Sequence, residues 1–253
     1  MTKLFFEEYG QGKPIIGVHG YPLDHSIWLP LVEHLQTRMH LILPDLRGHG
    51  KSPVATGIYA MEALAGDVLG LMDDLNIEKA VLAGHSMGGY AALAFARDHA
   101  DRLAGLALVS SHCFADPPAK AQSRLETAER VEKEGNAAFF ADSMVADLTA
   151  NEGVQEKIRE LIVHADPIGV AGSLRGMAQR SDTCSVLAEL QVPAVIITGE
   201  TDAHIPLETA REMAARQSTP WLEVVAGAGH LPMLEAPEKV AGILIKLISQ
   251  AYF

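Results

Sequence analysis

The run Gly84-His85-Ser86-Met87-Gly88-Gly89 sets a serine between the apolar stretch Ala80-Val81-Leu82-Ala83 and an alanine-rich segment. A serine at a strand-to-helix corner is lifted clear of the backbone, and the glycines at 84 and 88 fit because a side chain on either flank would collide in so tight a turn. A hydroxyl is a weak nucleophile near neutral pH. It needs a base to take its proton, and the base needs a carboxylate to fix its tautomer and orientation. Downstream, Asp202 stands in Gly199-Glu200-Thr201-Asp202-Ala203-His204, just past an apolar run, and His230 stands in the glycine-flanked loop Gly227-Ala228-Gly229-His230-Leu231-Pro232. The order along the chain is Ser, Asp, His.

Apolar runs at Pro14 to Val18, His40 to Leu43, Lys79 to Ala83, Leu103 to Val109, Val192 to Thr198 and Leu222 to Val225 read as buried parallel strands. Helical patterns lie between them, at Trp28 to Leu35, Met61 to Leu75, Ser86 to His99, Pro206 to Arg216 and Pro237 to Gln250. Such alternation predicts an α/β fold with a doubly wound, mostly parallel sheet. The alternation lapses between Cys113 and Val186, where Ala119 to Glu134, Ala137 to Leu148, Gly153 to His164 and Pro167 to Gln179 look helical and no strand intervenes. Residues 1–112 and 187–253 are therefore expected to form the core, with 113–186 inserted at the carboxyl edge of the sheet as a helical cap. Phe114, Phe139, Phe140, Met144 and Met177 are candidates for an apolar ceiling, although aromatic and methionine residues at helical spacing are mostly core.

The serine corner, the Ser-Asp-His order, His19-Gly20-Tyr21-Pro22 after the first strong strand and Asp45-Leu46-Arg47-Gly48-His49-Gly50 after the next closely resemble the α/β-hydrolase superfamily, over nearly the whole chain. The resemblance implies Ser86 as nucleophile, His230 as base and Asp202 as its carboxylate. It implies an oxyanion hole made by the backbone N–H groups of Tyr21 and Met87, with no metal and no cofactor. Pro22 disfavours a helical conformation at Tyr21 and holds an extended loop there, and the Met87 amide opens a helix whose dipole favours negative charge. His19, Arg47, His49 and His85 are expected to be structural, and His204 is too close in sequence to Asp202 to pair with it as base. Trp28, His112, Phe139, Phe140, Met144 and Met177 are the expected substrate contacts. The implied activity is carboxylic ester hydrolysis through an acyl-enzyme, on a substrate of small to moderate size. An enol-lactonase is the alternative, ahead of a perhydrolase or a carbon–carbon hydrolase. A ligand-binding signalling protein that keeps the fold without turnover is the rival from another class. A haloalkane dehalogenase would need an aspartate where Ser86 stands.

The 253 residues suffice for one sizeable core. A net charge of −12, with no visible lysine or arginine patch, argues against nucleic acid and anionic membranes as partners. The expected partner is a small-molecule ester or lactone, and the oligomeric state stays open. The apolar run at Leu4-Phe5-Phe6 is too short for a signal peptide, so a cytoplasmic location is expected. In a reducing compartment Cys113 and Cys184 are expected to be buried free thiols, although their places at the two ends of the cap segment leave a bridge at its neck open.

Overall fold

The computed structural model describes residues 2–252. The sheet has seven strands in the order β1-β3-β2-β4-β5-β6-β7: β1 (Phe6–Tyr9), β2 (Lys13–Val18), β3 (Met39–Pro44), β4 (Ala80–His85), β5 (Leu103–Val109), β6 (Ala194–Gly199) and β7 (Leu222–Val225). All neighbours are parallel except β1, which runs antiparallel to β3 at the edge. The central strands are apolar on both faces because helices cover both, so Ile15, Ile16, Val81, Leu82, Leu106 and Leu108 are all buried. A 3-10 helix (His25–Leu31) leads into α1 (Val32–Leu35), and α2 (Met61–Asp74), α3 (Met87–Asp98), α9 (Leu207–Ala214), α10 (Pro232–Glu235) and α11 (Pro237–Tyr252) complete the core. Helices α2 and α3 pack on each other, as do α1 and α11.

Between β5 and β6 the chain leaves the sheet and forms α4 (Pro118–Glu134), α5 (Ala138–Leu148), α6 (Glu152–Val163), α7 (Pro167–Ala178) and α8 (Cys184–Glu189). Within this insertion α4 packs on α7 and α5 on α6, while α8 returns to pack on α3. Cys113 and Cys184 stand at its two ends and form a disulfide, their Cα atoms 4.8 Å apart. The expectation of free thiols is corrected: the exit from β5 and the start of α8 converge closely enough for a bridge.

The strand order reverses between β2 and β4, the place where an open α/β sheet forms a crevice at the carboxyl ends of its strands. There Val18 lies beside Gly84, and one strand further His85 lies beside Val109. Loops leaving β2, β4, β6 and β7 along this single edge carry Tyr21, Ser86, Asp202 and His230.

Candidate active site

Ser86 connects the end of β4 to the start of α3 with φ 49° and ψ −114°. An L-residue held at such a positive φ costs on the order of 1–3 kcal/mol and persists only where its surroundings fix it. Here Ser86 N–H donates to the carbonyl of Val109 at 3.0 Å, and Ser111 Oγ donates to the carbonyl of Ser86 at 2.8 Å. The flanking glycines are required by contact. A Cβ on Gly84 would lie 2.5 Å from the Gly88 carbonyl oxygen, and one on Gly88 would run into the backbone carbonyl of Val18.

Asp202 and His230 are brought together. His230 Nδ1–H donates to Asp202 at 2.9 Å, and the same carboxylate accepts the backbone N–H groups of His204 and Ile205, each at 2.9 Å. Burial raises the Asp202 pKa, but the bond and charge of His230 and the Ile205 amide outweigh it, so the carboxyl is held below its ordinary value and stays ionised. His85, buried behind the corner, donates from Nε2 to the carbonyl of His230 at 2.9 Å, which couples the serine loop to the histidine loop. His19 ties the Tyr21 loop to the next one, with Nδ1–H on the carbonyl of Gly20 and Nε2 accepting the Leu46 N–H, both at 2.9 Å. Arg47 forms a two-pronged pair with Asp67 on α2.

Ser86, His230 and Tyr21 open onto one cavity of about 430 Å³, roofed by α4, α5 and Met177 of α7. No hydrogen bond joins Ser86 Oγ to His230 among the described residues, and such bonds are commonly loose in unliganded enzymes. The N–H groups of Tyr21 and Met87 likewise donate to no protein acceptor among the described residues. Tyr21 precedes Pro22 through a cis peptide.

Of the substrate contacts expected from sequence, Met144 and Met177 line the cavity and four residues do not. Trp28 is buried in the core beneath Gly17, because the 3-10 helix turns its ring toward the sheet. His112 stands one layer back. Its Nε2 meets Tyr90 Oη at 3.1 Å and Arg180 at 3.3 Å, and burial followed by the Arg180 charge lowers its pKa to about 3. Phe140 stacks on the Tyr21 ring from behind at 6.5 Å, and Phe139 lies edge-on to Phe140 under the Arg130 guanidinium. Tyr90, Lys120, Arg124 and His204 line the cavity and were not anticipated from the sequence. The spacing of Lys120, Ser123, Arg124 and Thr127 would have identified one face of α4, but such a face ordinarily meets solvent. Asp24, His25 and Asp45 could group around a metal, yet His25 Nδ1 already meets Asp45 at 2.7 Å and none of the three lines the cavity.

A model of the alpha/beta hydrolase family matches residues 15–243. The chain is 40% identical to a thermophilic esterase from Thermogutta terrifontis, solved with malate bound, at a TM-score of 0.95, covering 99% of this chain and 94% of that one. It is 30% identical to 3-oxoadipate enol-lactonase 1 of Acinetobacter baylyi over 85% of this chain and 81% of the relative. It is also 33% identical to the dihydrolipoyllysine-residue acetyltransferase component of the acetoin cleaving system of Pseudomonas putida, over 93% of this chain but only 64% of that protein's length.

Proposed function

The chain belongs to the alpha/beta hydrolase family, and from that premise we propose that it is a serine hydrolase of carboxylic esters working through an acyl-enzyme. The observation that carries the reading is the convergence on one cavity of a serine held at φ 49° and a histidine bonded to a buried, ionised aspartate. Ser86 Oγ attacks the ester carbonyl while His230 Nε2 takes its proton. The N–H groups of Tyr21 and Met87 receive the charge that develops on the carbonyl oxygen, each preorganised donor lowering the barrier by about 3 kcal/mol. The carbon–alkoxide bond breaks and the alkoxide leaves with the proton from His230. A water then attacks the acyl-enzyme, gives its proton to His230, and Oγ recovers that proton as the acid departs. Asp202 holds the imidazole in the tautomer that makes Nε2 the acceptor and stabilises the imidazolium. In the same reading residues 113–186 serve as a cap over the core of 1–112 and 187–253, and decide which esters enter.

Ser86→Ala is expected to abolish turnover of short p-nitrophenyl esters with the melting temperature preserved. Retention of more than a small fraction of the activity would overturn the assignment. A second reading, lactone hydrolysis by the same residues, is favoured by the 30% identity to the enol-lactonase. Comparing kcat/KM for an enol-lactone and for simple esters decides between them.

A further inference from the structure

Ester hydrolysis leaves a cluster of cavity groups without a task. Lys120, Ser123, Arg124 and Thr127 of α4 are spaced by three and four residues and turn one helical face toward the cavity that holds Ser86. The Lys120 ammonium makes no hydrogen bond and no ion pair among the described residues. Arg124 gives only its Nε–H to Asp116, at 2.6 Å, so its outer Nη groups have no protein acceptor among those residues. Asp116 is shared with buried Arg180, at 2.9 Å, so one carboxylate faces Lys120, Arg124 and Arg180 together. Tyr21 adds a buried phenol whose Oη has no hydrogen-bond partner, within the field of Arg124. Partial desolvation of the ammonium at the cavity rim, followed by the nearby Arg124 charge, lowers the Lys120 pKa. An anion among these groups would relieve that repulsion and take up the free donors. Asp147 is the acid in the cavity lining, and its charge is felt at His204; Asp202, buried behind the lining, is committed to His230.

We propose that Tyr21, Lys120 and Arg124 form a carboxylate-binding subsite, so that the substrates are esters or lactones bearing a free carboxylate, such as monoesters of small dicarboxylic acids. The proposal rests on the reading of Ser86 as the hydrolytic nucleophile. Guanidinium and ammonium donors bind carboxylate through short, charge-assisted hydrogen bonds, and the phenol supplies a further donor without adding charge. Arg124 tethers α4 to Asp116 in either case, whereas Lys120 is exposed at the rim of the cavity with no side-chain partner, so Lys120 is the residue that separates a subsite from a solvated helix face. In a chain of net charge −12 a basic cavity wall also stands out as a site that draws anions in.

The test compares kcat/KM for monomethyl glutarate with that for methyl hexanoate, a neutral ester of similar length. The wild type is expected to favour the anionic ester by about tenfold or more, as one charge-assisted hydrogen bond implies, and the preference is expected to shrink as salt is raised. Lys120→Met is expected to cut the ratio of the two values by about tenfold, chiefly through KM, and Lys120→Glu to reverse it. Arg124→Met should act in the same direction, but it also takes one of two cationic partners from Asp116, so the Lys120 variants decide. Calorimetric binding of monomethyl glutarate to Ser86→Ala, compared with the same protein carrying Lys120→Met, reads the subsite without turnover. Hydrolysis of both esters with a ratio that neither Lys120 variant moves would overturn the subsite and leave the hydrolase reading standing. Binding that depends on Lys120, in a protein that hydrolyses neither ester, would retain the subsite and remove the hydrolase reading.

Discussion

At the scale of single residues the proposed mechanism depends on Asp202 more than its distance from Ser86 in sequence implies. Its carboxylate takes the imidazole N–H and two backbone amides at once. Asp202→Asn would keep the shape but present an amide N–H toward Nδ1, forcing the proton onto Nε2, where Ser86 needs an acceptor. The expected outcome is a kcat lower by about 10⁴ with KM little changed, and a loss of less than tenfold in steady-state kinetics would refute the role. Ser86, Asp202 and His230 were legible in the sequence because turn chemistry constrains their neighbours: Gly84 and Gly88 for contact, and loops just past strand ends for the other two. Lys120, Arg124 and Tyr90 were not legible, because a polar residue on a helix looks the same whether the face meets solvent or a cavity. Trp28 misled for the converse reason. Its loop lies near the site, but side-chain direction inside a 3-10 turn is set by packing, here over Gly17 of β2, rather than by sequence neighbourhood.

Between elements, the histidine loop is held by the insertion as well as by the sheet. The His230 N–H donates to the carbonyl of Leu148, the last residue of α5, at 2.8 Å. Glu235 on α10 accepts the Gly229 N–H at 2.9 Å through one oxygen and the Thr149 hydroxyl through the other. If His230 is the base of the proposed mechanism, Glu235 serves as a positioning residue for it. Glu235→Ala is expected to lower kcat by about tenfold with KM within about twofold, since misplacing a catalytic base by a fraction of an ångström is enough, and Glu235→Gln to recover part of it. Equal loss in both variants, or a change confined to KM, would count against the idea. The strands and the α4 to α7 helices fell close to where apolar periodicity set them. The edge strand β1 escaped notice because Phe6-Glu7-Glu8-Tyr9 buries little and is a strand only through its pairing with β3. The short α8 and α10 have too few residues for a helical period to register.

Over the whole molecule, the Cys113–Cys184 disulfide runs against the reducing compartment from which free thiols were expected, since bridges persist mainly where thiols are oxidised. Among the described residues no helix is long and apolar enough to cross a membrane. The same burial that builds the carboxyl edge leaves several imidazoles neutral, and this sets how stability responds to acid. Burial, with repulsion from His19 second, lowers the His49 pKa to about 3; burial and Arg180 lower His112 to about 3; burial and His230 lower His204 to about 4. Each titrates near 6.5 when the chain is unfolded. Between those values and 6.5 the unfolded chain binds protons that the folded one refuses, so stability falls as pH falls, by roughly 1.4 kcal/mol per pH unit for each imidazole kept neutral. Burial raises and ion pairing lowers the carboxyls of Asp45, Asp116 and Asp202, and the net lowering extends the loss below the ordinary carboxylate range. His25, whose pKa is raised by Asp45 in spite of burial, works the other way and offsets part of it. The melting temperature is expected to drop by roughly 5 °C or more between pH 7.5 and pH 5. His49→Gln, which cannot charge, should flatten that slope even if it lowers the melting temperature at neutral pH. A melting temperature independent of pH across this window, in calorimetry at fixed ionic strength, would mean that these histidines are not held neutral by the fold.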